Sequence, residues 1–137
     1  KLKHVVITMV ARDDLPEQGG PEIAAIIREL TGWDVRRRVR QHDGDSDLEG
    51  VPGWSVEVKR HAKASRSDIA GWWTQTTAQA GDLRPVLFFR ADRDDWRAVW
   101  PIGCIVNYSV PAEDWLGAGW TAETTVQAWA CVARECM

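Results

Sequence analysis

The strongest constraint on the fold is a strand, a helix and a buried strand in succession between residues 53 and 91. GWSVEVKR alternates like a strand, with Trp54, Val56 and Val58 on one side and Glu57 and Lys59 on the other. SRSDIAGWWTQTTAQAGD then predicts a helix, and PVLFFRA predicts a strand covered on both sides. Two strands joined through a helix form a crossover unit, so we predict an α/β fold with a mixed central sheet flanked by helices.

The remaining elements are predicted from periodicity and from cap residues. GGPEIAAIIRELTGW predicts a helix from near Pro21 to before Gly32, with Glu22 at the edge of its buried face. Ser65 or Ser67 is expected to cap the helix that Gly81 ends. WDVRRRVRQ predicts a strand, DWRAVWP a hairpin partner of PVLFFRA, and TAETTVQAWACVARE a final helix. The buried stripe of the second helix is expected to contain Ile69, Trp72, Trp73 and Thr76.

The length of 137 residues suits one domain spanning 1–137, with a core over about 20–101. The apolar extension 102–137 either completes that core or forms a dimer interface. The apolar run 5–11 is too short to span a bilayer, and it is interpreted as a strand or an ordered tail. Three cysteines without a CxxC spacing fit neither a disulfide framework nor a zinc site, so a cytoplasmic protein is expected.

The acids and the lysine around residues 47–59 predict a metal site. Glu57 and Lys59 share a strand face, and a hairpin would bring Asp47 beside them. Paired carboxylates repel each other unless a hard cation lies between them, and Mg²⁺ takes a few such oxygens together with water and phosphate. A lysine nearby stabilises developing negative charge. This combination favours phosphodiester hydrolysis with Mg²⁺, for which Mn²⁺ is the expected substitute.

From Glu22 to about Trp100 the chain resembles the PD-(D/E)xK nuclease superfamily, in the branch of archaeal Holliday junction resolvases and small phage-type resolvase-like endonucleases. The resembling motifs are PEIAAIIRELTGW, DSDLEGVPGWSVEVKRHAK and WWTQTTAQAGDLRPVLFFRADRDDW. The resemblance implies a restriction-endonuclease-like sheet and a metal-dependent DNA endonuclease selective for branched DNA, with a role in recombination, repair or phage genome processing. Ser46 stands where the superfamily's name has a proline.

By position, the resemblance assigns a role to each site residue. Asp47 and Glu57 would be the metal carboxylates, with the Val58 carbonyl as a further ligand, and Lys59 the catalytic lysine. Glu22 would hold a water of the site, and Gln75 would support it. Asp45 remains the alternative first acid, because Asp43, Asp45, Asp47 and Glu49 alternate; Asp47 is chosen because apolar Leu48 follows it.

Eight of the seventeen basic residues lie between Arg36 and Arg66, although the net charge is −3. Beside a nuclease site, this cluster is expected to contact DNA phosphates. The DNA-contacting candidates are Arg36, Arg37, Arg38, Arg40, Arg60, His61, Lys63 and Arg66. Symmetric cutting of two strands requires two active sites, so a homodimer is expected.

Two other functions remain open from the sequence. A protein of this fold could bind nucleic acid or a phage partner without cutting. The segment DGDSDLEG is also similar to a calcium loop, but Leu48 occupies the position that needs glycine in an EF-hand, and Trp54 the position that needs glutamate.

Overall fold

A computed structural model describes residues 19–38, 46–106 and 109–135. The predicted N-terminal segment 5–11 lies outside these ranges, as do Val39, Arg40, Asp43 and Asp45. No helix in the described ranges is both long enough and apolar enough to cross a membrane.

The described residues form six strands and four α-helices. They are α1 (Gly20–Thr31), β1 (Arg36–Arg37), β2 (Leu48–Glu49), β3 (Trp54–His61), α2 (Arg66–Ala80), β4 (Arg84–Ala91), β5 (Arg97–Pro101), α3 (Gly103–Val106), β6 (Thr121–Thr125) and α4 (Val126–Glu135). Short 3₁₀ turns at Ala112–Asp114 and Ala118–Trp120 precede β6.

The central sheet has the strand order β3, β4, β5, β6. β3 and β4 are parallel because α2 crosses over between them, whereas β4 pairs with β5 and β5 with β6 in antiparallel fashion. β1 and β2 form a separate antiparallel pair. The prediction of an α/β fold with a mixed sheet flanked by helices is confirmed.

The two faces of the sheet pack against different helices. Val56, Val58 and Phe88 on one face join the larger core with α1 and α4. Leu87 and Phe89 on the other face join a smaller core with residues of α2. Since side chains alternate along a strand, Glu57 and Lys59 lie on the face that α2 covers.

The predicted helix ends are confirmed for α1 and α2. α1 ends at Gly32, whose φ of 80° is left-handed and whose N–H donates to the Arg28 carbonyl at 2.8 Å. At the start of α2, Ser65 is the cap: its hydroxyl accepts from Asp68 N at 3.0 Å, and Asp68 Oδ2 accepts from Ser65 N at 3.1 Å. This backbone hydrogen bond from Ser65 holds the pKa of Asp68 below its ordinary value.

The C-terminal segment differs from the prediction of one continuous helix. Thr121–Thr125 is the strand β6, and the helix begins at Val126. The threonines of TAETT are β-branched and favour an extended backbone, which β5 stabilises by pairing. Trp129 of α4 is fully buried, with its ring edge-on to Trp54 and Phe88 at 5.5 and 4.9 Å. This segment therefore forms part of the larger core.

One smaller prediction needs correction. The strand expected over WDVRRRVRQ comprises Arg36–Arg37 within the described residues. In the predicted buried stripe of α2, Trp73 is buried and its indole N–H donates to the Leu116 carbonyl at 2.9 Å. Trp72 is half-buried: it packs against the smaller core, and its ring stacks on His61.

Candidate metal centre

Glu57 is a carboxylate in the interior of the protein. It lies in the middle of β3, on the face that α2 covers, and 1% of its surface is exposed. A carboxylate without a compensating charge is costly to bury, so such a residue is normally paired with a cation.

Lys59 supplies one such positive charge. Two residues after Glu57, it lies on the same face of β3, and its Nζ is 3.3 Å from Glu57 Oε2. Its side chain is 16% exposed. The ammonium group is therefore partly exposed to solvent, whereas the carboxylate beside it is buried.

Asp47 is held directly beside Glu57 by the backbone of β3. Its N–H donates to the Val56 carbonyl at 2.8 Å, and its Oδ2 accepts from Val58 N at 2.7 Å. These two backbone groups belong to the residues on either side of Glu57. A hairpin was expected to bring Asp47 beside Glu57. In the structure, Asp47 is connected to the edge of β3 by these two hydrogen bonds.

The local sequence fixes this placement. Leu48 is buried in the larger core and pairs with Arg37 of β1, so the residue before it turns toward β3. The Ser46 hydroxyl accepts from Val56 N at 2.9 Å. Gly50 has a φ of 89°, and a Cβ at this position would collide with the Asp34 carbonyl oxygen, so glycine is required here.

The Val58 carbonyl points toward the same edge of β3 as Asp47. In an extended strand the N–H and the C=O of one residue point to the same side. Because Val58 N donates to Asp47 Oδ2, the Val58 carbonyl lies on that side as well. The carbonyl that is predicted as the third oxygen ligand therefore lies on the edge of β3 that Asp47 contacts.

The oxygens at this position suit a hard divalent cation. Within the described ranges, no group of three or more His, Cys, Asp or Glu side chains could hold a metal ion. Mg²⁺ does not require such a cage, because it binds through one or two carboxylates and takes water and substrate phosphate for its other positions.

Glu22 lies on the other face of the sheet. Its Oε1 accepts hydrogen bonds from Arg90 Nη1, at 2.6 Å, and from the Trp96 indole. Arg90 alternates with Phe89 and is on the face of Phe88, which α1 covers. The structure therefore ties Glu22 to the ends of β4 and β5 and does not join it to the pair of Glu57 and Lys59.

The helical phase of α2 favours Gln79 over the predicted Gln75 as the amide near Glu57. Trp72 stacks on His61, so its flank of α2 faces β3. Gln79 follows on the same flank nearly two turns later, whereas Gln75 lies about 40° further from the buried stripe. α2 runs antiparallel to β3, and seven helical residues span about 10 Å, or about three strand residues back from His61, which places Gln79 level with Val58, next to Glu57.

Comparisons with known proteins give one partial similarity. Two curated proteins of Staphylococcus epidermidis strains, both called lipoyl synthase, are 35% identical to this chain over 96 residues. The match covers 68% of this chain, which spans about 28% of the length of these relatives. No family model matches the chain, and no solved structure matches it significantly.

The basic residues that were predicted to contact DNA differ in how closely acidic side chains approach them. Arg36 lies 2.7 Å from Asp34, and this contact raises the pKa of Arg36 and lowers that of Asp34. Arg66 contacts Glu123 at 2.9 Å, which raises the pKa of Arg66. Arg38 lies 3.9 Å from Glu49, Arg60 lies 3.9 Å from Asp92, and Arg37 and Lys63 are exposed.

Two features of the site were missed by sequence reasoning. The Ser46 hydroxyl accepts a hydrogen bond from the backbone N–H of Val56. Trp72 packs against the smaller core, and it also forms a stacked pair with His61, with ring centroids 4.8 Å apart and an interplanar angle of 22°. Knowledge of the phase of α2 relative to β3 would have been needed to find this pair.

Proposed function

We propose that this chain is a metal-dependent DNA endonuclease that hydrolyses phosphodiester bonds in branched DNA, as Holliday junction resolvases do. The observation that carries this proposal is the arrangement on β3, where Asp47 bridges to the backbone on both sides of buried Glu57 and Lys59 lies 3.3 Å from Glu57. The resemblance in sequence order adds to it. A lysine and two carboxylates at one strand edge match the needs of phosphoryl chemistry.

Each residue would have a separate task. Asp47, Glu57 and the Val58 carbonyl would hold Mg²⁺ or Mn²⁺, which supplies Lewis-acid polarisation of the phosphoryl oxygen. Lys59, at the outer side of Glu57, would orient the attacking water and stabilise the charge that develops on phosphate. In the reaction, the water oxygen bonds to phosphorus while the bond to the leaving sugar oxygen breaks, and the water's protons pass to that oxygen and to solvent.

The DNA would lie across the surface from which Lys59 emerges. Arg37 and Lys63 are exposed basic residues, and Arg36, Arg38 and Arg66 lie at the surface with acidic neighbours. Such contacts act on phosphates and give affinity without base recognition. This is consistent with selection of DNA by its shape rather than by its sequence.

The test is cleavage of labelled DNA in Mg²⁺, with a four-way junction, a flap, a linear duplex and a single strand compared. The proposal predicts paired nicks at the junction that stop with EDTA and with Glu57→Ala. Glu49→Ala is the matched control, because Glu49 is an exposed acid two residues after Asp47, and it should keep activity. Cleavage of every duplex alike would refute the selectivity, and cleavage of none would favour a protein that binds DNA without cutting it.

The similarity to lipoyl synthase carries no second proposal. This chain spans about 28% of that protein's length. We therefore do not extend the activity in that name to this chain.

A further inference from the structure

The hydroxyl of Ser46 contacts three backbone groups around the candidate metal carboxylate. It accepts a hydrogen bond from Val56 N at 2.9 Å and donates one to the Leu48 carbonyl at 2.8 Å. It also lies 3.3 Å from the Val56 carbonyl oxygen. Ser46 and Leu48 are the two neighbours of Asp47 in the chain. One hydroxyl therefore ties both neighbours of Asp47 to each other and to the edge of β3.

Ser46 and Asp47 bind consecutive backbone groups along that edge. The Ser46 hydroxyl binds the N–H of Val56, and the N–H of Asp47 binds the Val56 carbonyl at 2.8 Å. Asp47 Oδ2 then binds the N–H of Val58 at 2.7 Å. Because these hydrogen bonds lie side by side, a shift of Ser46 along β3 would move the carboxylate of Asp47 with it. Removal of the hydroxyl would also leave the N–H of buried Val56 without this acceptor, which is unfavourable.

We propose that Ser46 is a positioning residue whose hydroxyl sets the place of the Asp47 carboxylate beside Glu57, and thereby the affinity of this site for a divalent cation. The inference rests on the proposed function and extends it to a residue that acts only through Asp47. Asp47 and Glu57 are 6% and 1% exposed, so the surrounding protein determines where the two carboxylates lie. Groups that orient a metal ligand without touching the metal commonly change metal affinity by about 10- to 100-fold.

The test has one measurement with metal and one without. In calorimetric titration with Mn²⁺, Ser46→Ala should lower affinity by about 10- to 100-fold. Ser46→Thr should restore most of it, because threonine keeps the hydroxyl. In the metal-free protein, amide hydrogen exchange followed by NMR should show faster exchange at Val58 N relative to Val86 N in Ser46→Ala, since the hydrogen bond to Asp47 Oδ2 is weakened.

Thr31→Ala is the matched control. The Thr31 hydroxyl also joins two backbone groups, since it accepts from Trp33 N at 3.1 Å and donates to the Ile27 carbonyl at 2.7 Å. It does so at the end of α1, on the face of the sheet opposite Glu57. Its loss should lower the midpoint of urea unfolding but leave Mn²⁺ affinity unchanged.

Three results would overturn the inference. They are an unchanged Mn²⁺ affinity in Ser46→Ala, an equal loss in Ser46→Ala and Ser46→Thr, and an unchanged relative exchange at Val58. If the wild type binds Mn²⁺, these results leave the proposed function intact. A wild type that binds no Mn²⁺ would instead refute the proposed metal centre, and the exchange at Val58 would still decide whether Ser46 positions Asp47.

Discussion

At the residue scale, Lys59 has the clearest separable role. Its ammonium lies 3.3 Å from Glu57 and is partly exposed, so under the proposed function it would be the group of this pair that reaches the substrate. We predict that Lys59→Met lowers kcat by about 10²- to 10³-fold, the usual effect of removing one charge-stabilising group. Binding of junction DNA should change little, as measured by anisotropy. Lys63→Met should show the opposite pattern, with weaker binding and unchanged kcat.

Gln79 provides a second prediction at the residue scale. The phase of α2 places Gln79 level with Val58, next to Glu57, and turns Gln75 about 40° further from the buried stripe. Gln79→Leu should therefore lower Mn²⁺ affinity and cleavage by about tenfold, in the lower part of the range for residues that orient metal ligands. Gln75→Leu should change either quantity by less than about twofold. A larger effect at Gln75, measured by calorimetric titration and cleavage, would show that this helical phase is wrong.

At the element scale, α2 depends on its N-terminal cap. The hydroxyl of Ser65 and the carboxylate of Asp68 satisfy each other's backbone N–H groups. Ser65→Ala should lower the free energy of unfolding by about 1 kcal/mol in urea titrations. Ser67→Ala should leave it nearly unchanged, because Ser67 is not the cap.

The capping box also predicts a pH dependence. The hydrogen bond from Ser65 N lowers the pKa of Asp68 in the folded state. The ionised Asp68 carboxylate therefore stabilises the folded protein at pH values above the pKa that Asp68 has in the unfolded chain. This stabilisation is lost as the pH falls through the lowered pKa of Asp68 in the folded state. Asp68→Asn should thus be less stable than the wild type at pH 7 and similar to it in strong acid. A stability difference that stays constant down to acid pH would contradict this assignment.

The elements themselves were largely predictable from the sequence. α1, β3, α2, β4 and β5 follow from local periodicity and caps, which is why they appear as predicted. β6 was not predicted, because TAETT has no strong apolar alternation. This segment becomes a strand through its pairing with β5. In the same way, neither the opposite-face position of Glu22 nor the stack of Trp72 on His61 is a local property of the chain.

At the scale of the whole molecule, symmetric cutting of a four-way junction requires two active sites. A homodimer with a two-fold axis supplies them. We predict a mass of twice 15.4 kDa by light scattering at micromolar concentration. Cleavage per chain should then fall when the protein is diluted below the dissociation constant of the dimer. A monomeric mass in both the free protein and its junction complex would contradict this prediction.

The site as a whole was predictable only in part. The order of Asp47, Glu57 and Lys59 along the chain and the alternation of β3 were sufficient to place the lysine beside its acid. They did not indicate that Asp47 bridges to Val56 and Val58, since that contact depends on how Leu48 and Gly50 turn the preceding segment. Asp45, the alternative first acid, lies outside the described residues.

The central claim is that Asp47 and Glu57 together hold a divalent cation, and Mn²⁺ titration by isothermal calorimetry tests it most directly. We predict one Mn²⁺ site per chain in the wild type, with affinity lost in Asp47→Asn and in Glu57→Gln. Glu22→Gln and Glu49→Gln should bind as the wild type does, because Glu22 is held by Arg90 and Trp96 and Glu49 is exposed. Binding that survives both Asp47→Asn and Glu57→Gln, or is absent from the wild type, would contradict the claim.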